Sequence, residues 1–176
     1  MMLYEKQAEV AQAIAHLRAR GLPIVVDFVG AAYGPALARL REQIGRLDGA
    51  HEFLNYRGPV AFDELHTAYA QADAFVFASS CENLPNILLE AMATGLPIAC
   101  SNRGPMPEVL GDAGVYFDPE RPDEIAHAIE DLYRDTDRRA ALSVKAQQKA
   151  RTYSWERCAS ETLAFIGAIA NAQCGS

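Results

Sequence analysis

Residues 74–100 read AFVFASSCENLPNILLEAMATGLPIAC. Ala74-Phe75-Val76-Phe77-Ala78 is a continuous apolar run of strand length, suited to a strand buried on both faces of a parallel sheet. A polar loop follows, Ser79-Ser80-Cys81-Glu82-Asn83. The period then becomes helical over residues 84–94. Leu84, Ile87, Leu88, Ala91, Met92 and Gly95 recur at i, i+3, i+4 and i+7, so they are expected to face the core. Leu89 and Ala93 widen that apolar surface. Pro97-Ile98-Ala99-Cys100 returns to strand character.

The same alternation extends in both directions. Upstream, residues 5–20 read as a helix with Ala8, Ala11, Ile14, Ala15 and Leu17 near one face, stopped by Gly21. Residues 23–29 read as a strand, 35–47 as a helix and 52–56 as a short strand. Residues 62–72 read as a helix with Asp63 as its cap. Downstream, 115–117 is the next strand, and helices are expected over 122–134, 136–151 and 155–171. Pro122 opens the first of these, where its missing amide costs least. Strands alternating with helices define an α/β domain with a mostly parallel sheet. No repeat, low-complexity tract or linker interrupts it.

At 176 residues the chain suits one domain. A net charge of −7 argues against nucleic acid as partner, because phosphate backbones need a basic footprint. Cys81, Cys100, Cys158 and Cys174 form no CxxC pair and read as reduced thiols of a cytoplasmic protein. The first residues lack the basic and apolar regions of a signal peptide. No apolar run approaches the ~20 residues that span a bilayer. His16, His51, His66 and His127 show no metal spacing. Ser79, Ser80 and Cys81 have no neighbouring histidine to make a nucleophile, and Cys81 is expected to be small and buried. Trp155 is expected in the core. Arg134, Arg138, Arg139, Lys145, Lys149 and Arg151 are expected to form a solvated face, with an acidic acceptor or membrane surface as the alternative.

In open parallel sheets, ligands bind outside the carboxyl ends of the strands. The loop after Ala78 is the most polar of these and leads into the most apolar helix. Glu90 is the only charge between Leu84 and Leu96, and a carboxylate on so apolar a helix needs a partner. Glu82 lies eight residues earlier, a rise of ~12 Å if fully helical. That span suits a nucleotide sugar. One carboxylate can hold sugar hydroxyls, the other ribose hydroxyls, and the free amides of the helix mouth can face a diphosphate between them.

Glu82-Asn83-Leu84-Pro85-Asn86-Ile87-Leu88-Leu89-Glu90, followed by Ala91-Met92-Ala93-Thr94-Gly95-Leu96-Pro97, resembles the donor-site signature of group 1 glycosyltransferases. These are retaining GT-B enzymes with two Rossmann-like domains. Ala72-Asp73, Phe77-Ala78-Ser79, Pro107-Glu108-Val109, Gly114-Val115-Tyr116-Phe117-Asp118-Pro119 and Tyr153-Ser154-Trp155 resemble the flanking segments in the same order. The resemblance implies that Glu82 binds the donor sugar and Glu90 the ribose. It implies that the amides of Asn83, Leu84 and Asn86 line the diphosphate. Asn83 and Pro85 stand where glycine is common, and Pro85 has no amide to donate. Lys6 occupies the place of the diphosphate lysine, and Glu82 and Lys6 are the implied catalytic pair. Arg57 to Val60 falls where the nucleobase is contacted. Arg103-Gly104-Pro105 is either cleft lining or plain loop, and Glu108 reads as the cap of a short helix.

The implied activity is retaining transfer of a hexose from a nucleoside diphosphate sugar to a glycan or lipid-linked acceptor, without metal or cofactor. Residues 1–176 then form a single donor-binding domain, a doubly wound parallel sheet flanked by helices. The family's first strand, its diphosphate arginine and its N-terminal acceptor domain are expected to be absent. The chain would be inactive alone and would need that half or a second chain, through which peripheral membrane contact could arise. A non-catalytic nucleotide-sugar-binding or interaction module is the alternative. A two-domain epimerase of related fold is a third, disfavoured by Tyr153-Ser154-Trp155.

Overall fold

The computed structural model describes the backbone of residues 2–3 and 6–174, and the side chains of residues 6–31 and 33–172. In chain order the elements are β1 (Met2–Leu3), α1 (Gln7–Ala19), β2 (Val26–Val29), β3 (Ala31–Ala32), α2 (Gly34–Leu47), β4 (Leu54–Gly58), a 3-10 turn (Phe62–Glu64), α3 (Leu65–Ala70), β5 (Phe75–Phe77) and α4 (Asn86–Thr94). There follow β6 (Ile98–Ser101), α5 (Met106–Leu110), β7 (Val115–Phe117), α6 (Pro122–Arg134), α7 (Thr136–Ala150) and α8 (Trp155–Cys174). Gly21 ends the first helical segment with φ +86°, and Gly95 ends α4 in the left-handed region. Glu5, the expected start of the first helix, lies outside the described residues.

Every ladder is parallel: β2 with β4, β5 with β6, β6 with β7, and the two-residue pair β1 with β3. Helices cover both faces, and the strand alternation shows how. Ala99 joins the core under α1 and α6, whereas its neighbours Ile98 and Cys100 join the core under α4 and α5. Phe28 and Leu54 share the first of these cores with Ala78, Val115 and Phe117. The pair β2–β4 and the trio β5–β6–β7 are therefore parts of one packed layer. Among the described residues no ladder joins them.

Several expected bounds shift for local reasons. The helix expected over residues 84–94 starts at Asn86, because Pro85 takes φ −80°, ψ 71° and the residue before a proline avoids helical geometry. Leu84 is thereby released from the core and stands 45% exposed. The strand expected at 52–56 runs from Leu54 to Gly58. The Asp48 carboxylate accepts from the amides of Glu52, Phe53 and Leu54, which holds the turn before the ladder begins. Burial would raise the Asp48 carboxyl, but these three amides outweigh it and keep it below the usual carboxylate range. Residues 62–72 split into the 3-10 turn and α3, and Asp63 makes no capping bond.

Two packing expectations are corrected. Trp155 is 71% exposed rather than core, because no described element lies over α8. Apart from Gly167, every described residue of α8 is exposed. Cys81 is exposed rather than buried; Cys81, Cys100 and Cys158 carry free thiols, and the Cys174 side chain lies outside the described residues. Arg134, Arg138, Lys145 and Arg151 are exposed, as expected of a solvated face, and Arg139 and Lys149 are half-buried. Arg134 pairs with Glu130, Arg138 with Asp131 and Lys145 with Asp112, while Lys149 donates to the Glu108 carbonyl. Among the described residues no helix is long and apolar enough to cross a membrane.

Candidate functional site

The carboxyl ends of β5, β6 and β7 deliver three loops to one edge. The loop after β5 carries Glu82, which is half-buried, and Ser79 tethers it by donating to the Cys81 carbonyl at 3.2 Å. The loop after β6 lies directly against it. Gly104 has φ +53°, and a β-carbon there would sit 4.0 Å from both the amide nitrogen and the carbonyl oxygen of Glu82. Arg103, beside that glycine, reaches the loop after β7 and donates to Oδ2 of Asp118 at 2.7 Å. The Glu120 amide and the Arg103 guanidinium hold the Asp118 carboxyl below its ordinary range.

Lys6 closes this edge from the start of α1. Its side chain is 15% exposed, its ammonium pairs with Oε1 of Glu120 at 3.0 Å, and the Glu120 amide donates to Asp118. Lys6 and Glu82, far apart in sequence, are thus linked through Glu120, Asp118 and the Arg103-Gly104 loop. Two cations, Lys6 and Arg103, are each neutralised by a carboxylate that an anionic ligand would have to displace. Sequence reasoning could not supply Glu120 as a partner 114 residues from Lys6.

Asn83, Leu84 and Asn86 are exposed at the mouth of α4. The Asn86 amide is already engaged, donating to the Leu84 carbonyl at 2.9 Å. The first-turn amides without a protein acceptor among the described residues are instead those of Ile87 and Leu88. Glu90 lies further along the same helix. The partner that its apolar surroundings demand is Tyr69, whose hydroxyl donates to Oε2 at 2.9 Å. Burial first, then this bond, raises the Tyr69 phenol above its ordinary range. Tyr69 was missed from the sequence. The usable signal was a buried tyrosine hydroxyl needing an acceptor and a lone glutamate needing a donor within one α/β unit.

Arg57 and Val60 stand apart, at and beyond the end of β4 in the other part of the sheet. Arg57 is exposed and pairs with Asp27 across the β2–β4 ladder at 2.8 Å; Val60 is half-buried. Glu108 lies inside α5 and makes no capping bond, contrary to the expectation of a cap. Two open cavities, of about 450 and 310 Å³, lie along α6 and share Asp123 and His127. Neither is lined by Glu82 or Glu90, and a concave shape alone is a weaker guide than converging polar groups.

A parallel α/β layer covered on both faces, with carboxylates and a helix mouth at its carboxyl edge, is the Rossmann-like architecture of the GT-B fold. The chain belongs to the family described as glycosyl transferases group 1, whose model matches residues 2–135. The O-antigen chain mannosyltransferase B of Escherichia coli is 38% identical over 112 residues, which is 63% of this chain and 29% of that protein. The crystal structure of Anabaena Alr3699/HepE in complex with UDP and glucose matches with a TM-score of 0.79 at 23% identity, covering 92% of this chain and 45% of that one. The C-terminal domain of the group 1 family glycosyl transferase LpcC from Francisella tularensis matches with a TM-score of 0.75 at 21% identity, over 86% of this chain and 81% of that one. This chain thus spans less than half the length of the mannosyltransferase and of HepE.

Proposed function

We propose that this chain is the donor-binding module of a group 1 glycosyltransferase. It takes a nucleoside diphosphate sugar at the carboxyl edge of β5–β7 and supports retaining transfer of a hexose to a glycan or lipid-linked acceptor. The observation that carries this reading is the paired placement of two carboxylates on α4 and its entry loop. Glu82 sits against Gly104 at the strand ends, and Glu90 is held by Tyr69 with Oε1 left without a protein partner among the described residues. HepE supports it, since UDP and glucose are bound in a fold that matches this one closely.

In this reading Glu82 receives hydroxyls of the sugar and Glu90 those of the ribose. The amides of Asn83, Leu84, Ile87 and Leu88 face the diphosphate at the positive end of α4; the Asn86 amide joins them once it leaves the Leu84 carbonyl. Lys6 exchanges Glu120 for a phosphate oxygen. The transition state has oxocarbenium character and a departing diphosphate, so stabilising negative charge on that leaving group is the protein's main contribution. Arg57 and Val60 border the nucleobase. No metal or cofactor is called on. A cytoplasmic location, with membrane contact only through an acceptor half, belongs to the same proposal.

Residues 1–176 act in this account as one domain of a larger assembly. A strand from preceding sequence or another chain would occupy the central position between β2 and β5, since two open edges in mid-sheet are hazardous. Thermal-shift titration with UDP- and GDP-hexoses, then a transfer assay with and without a completing N-terminal half, tests the proposal. Donor binding by the chain and transfer only in the completed form are expected. Full turnover by the isolated monomer contradicts the half-site account. Binding without transfer in the completed form favours a non-catalytic sugar-nucleotide module.

A further inference from the structure

Tyr69, half-buried and ionisable, touches the candidate site through Glu90. Its ring stacks obliquely on Phe75 of β5, centroids 6.1 Å apart at 59°, and Phe75 in turn stacks on Phe77 at 6.0 Å. A tyrosine has only two side-chain torsions, so seating the ring on the strand aromatics largely fixes where its hydroxyl lies. That hydroxyl occupies a single oxygen of Glu90, Oε2. A glutamate's terminal torsion is broad and roughly two-fold, so an untethered carboxylate would sample many orientations.

We propose that Tyr69 is a positioning residue for Glu90. By donating to Oε2 it sets the plane of the carboxylate, so that Oε1 and the remaining lone pairs of Oε2 meet a vicinal diol, and it thereby favours ribo- over 2′-deoxyribonucleoside diphosphates. A carboxylate offers about four lone-pair sites, and one phenol consumes only one of them. A cis-diol needs two acceptors held at a fixed angle, whereas a single hydroxyl is served by a freely turning carboxylate. The benefit of the tether therefore falls on the diol. The proposal rests on the donor-binding reading, in which Glu90 meets the ribose.

The test is isothermal titration of the full chain and its Tyr69→Phe variant with UDP, GDP and their 2′-deoxy counterparts. Phenylalanine keeps the ring on Phe75 and removes only the hydroxyl. The wild type is expected to prefer the ribonucleotide. Tyr69→Phe is expected to bind the ribonucleotide about fivefold more weakly, as for loss of one ordinary hydrogen bond, and the deoxynucleotide unchanged. In a Glu90→Ala background the same substitution is expected to have no effect, because the group it positions is gone. Equal weakening of both sugars would mean that Tyr69 only supports the fold, and would overturn the proposal. So would an unchanged preference in Tyr69→Phe. Absence of all nucleotide binding by the folded wild type would overturn the donor-binding reading itself, a result distinct from failure of the Tyr69 role alone.

Discussion

Replacing Glu90 by alanine is expected to weaken binding of a nucleoside diphosphate sugar by about 10- to 100-fold. Hydrogen bonds to a charged acceptor contribute about 1.5–3 kcal/mol each, and every 1.4 kcal/mol is tenfold in affinity. The burial that holds α4 in place comes from Leu88, Ala91 and Met92, all fully buried, and not from Glu90. The helix should therefore survive the change, with only the Tyr69 hydroxyl left to find water. Isothermal titration read beside a thermal melt separates the two effects: a large loss of affinity with a small change in midpoint is the expected pair. An unchanged affinity would remove Glu90 from the site.

Phe117→Ala is expected to cost about 3–5 kcal/mol of stability, as for other buried phenylalanines cut to alanine. Phe117 is 1% exposed and sits among Ala99, Val115, Ile125 and Ile129, where β7 meets α6. A domain of this kind has about 5–15 kcal/mol in total, so the loss is a large share of it. At about 2–4 °C per kcal/mol for this chain length, the melting midpoint should fall by about 6–20 °C. Phe62→Ala serves as the control. That ring is 86% exposed, and its removal should change stability by less than about 0.5 kcal/mol. Phe117 also precedes Asp118, the partner of Arg103, so loosening this strand end should blur the cation arrangement at the candidate site. A midpoint unchanged in Phe117→Ala would mean that β7 is not part of the main core.

The parallel α/β alternation was readable from residues 74–100 because β5 and β6 are buried on both faces, which writes them as continuous apolar runs. Helices α1, α2, α6 and α7 were readable from their periodicity and from Gly21 and Pro122. The start of α4 was not, because Leu84 fits the apolar period while Pro85 forbids the geometry; local backbone sterics overrode the pattern. The β1–β3 ladder could not be foreseen, since two alanines carry no strand signal and the pairing spans 29 residues. Trp155 was misplaced because a large aromatic reads as core unless one knows that nothing described covers α8. At the site, the carboxylates and the lysine were visible as residue types in a motif. Their partners Tyr69, Glu120 and Asp118 were not, since tertiary packing alone brings them within hydrogen-bonding distance.

The central claim is that a sugar nucleotide binds at the mouth of α4 and the carboxyl edge of β5–β7. Amide chemical-shift mapping of the ¹⁵N-labelled chain during titration with UDP-glucose and GDP-mannose addresses it most directly. The account predicts saturable shifts concentrated at Glu82, Ile87, Leu88 and Gly104, with Lys6 and Glu120 perturbed as their ion pair opens. Shifts confined to the α1–α6 cavities around His16 and His127, or no shifts at millimolar donor, would contradict it.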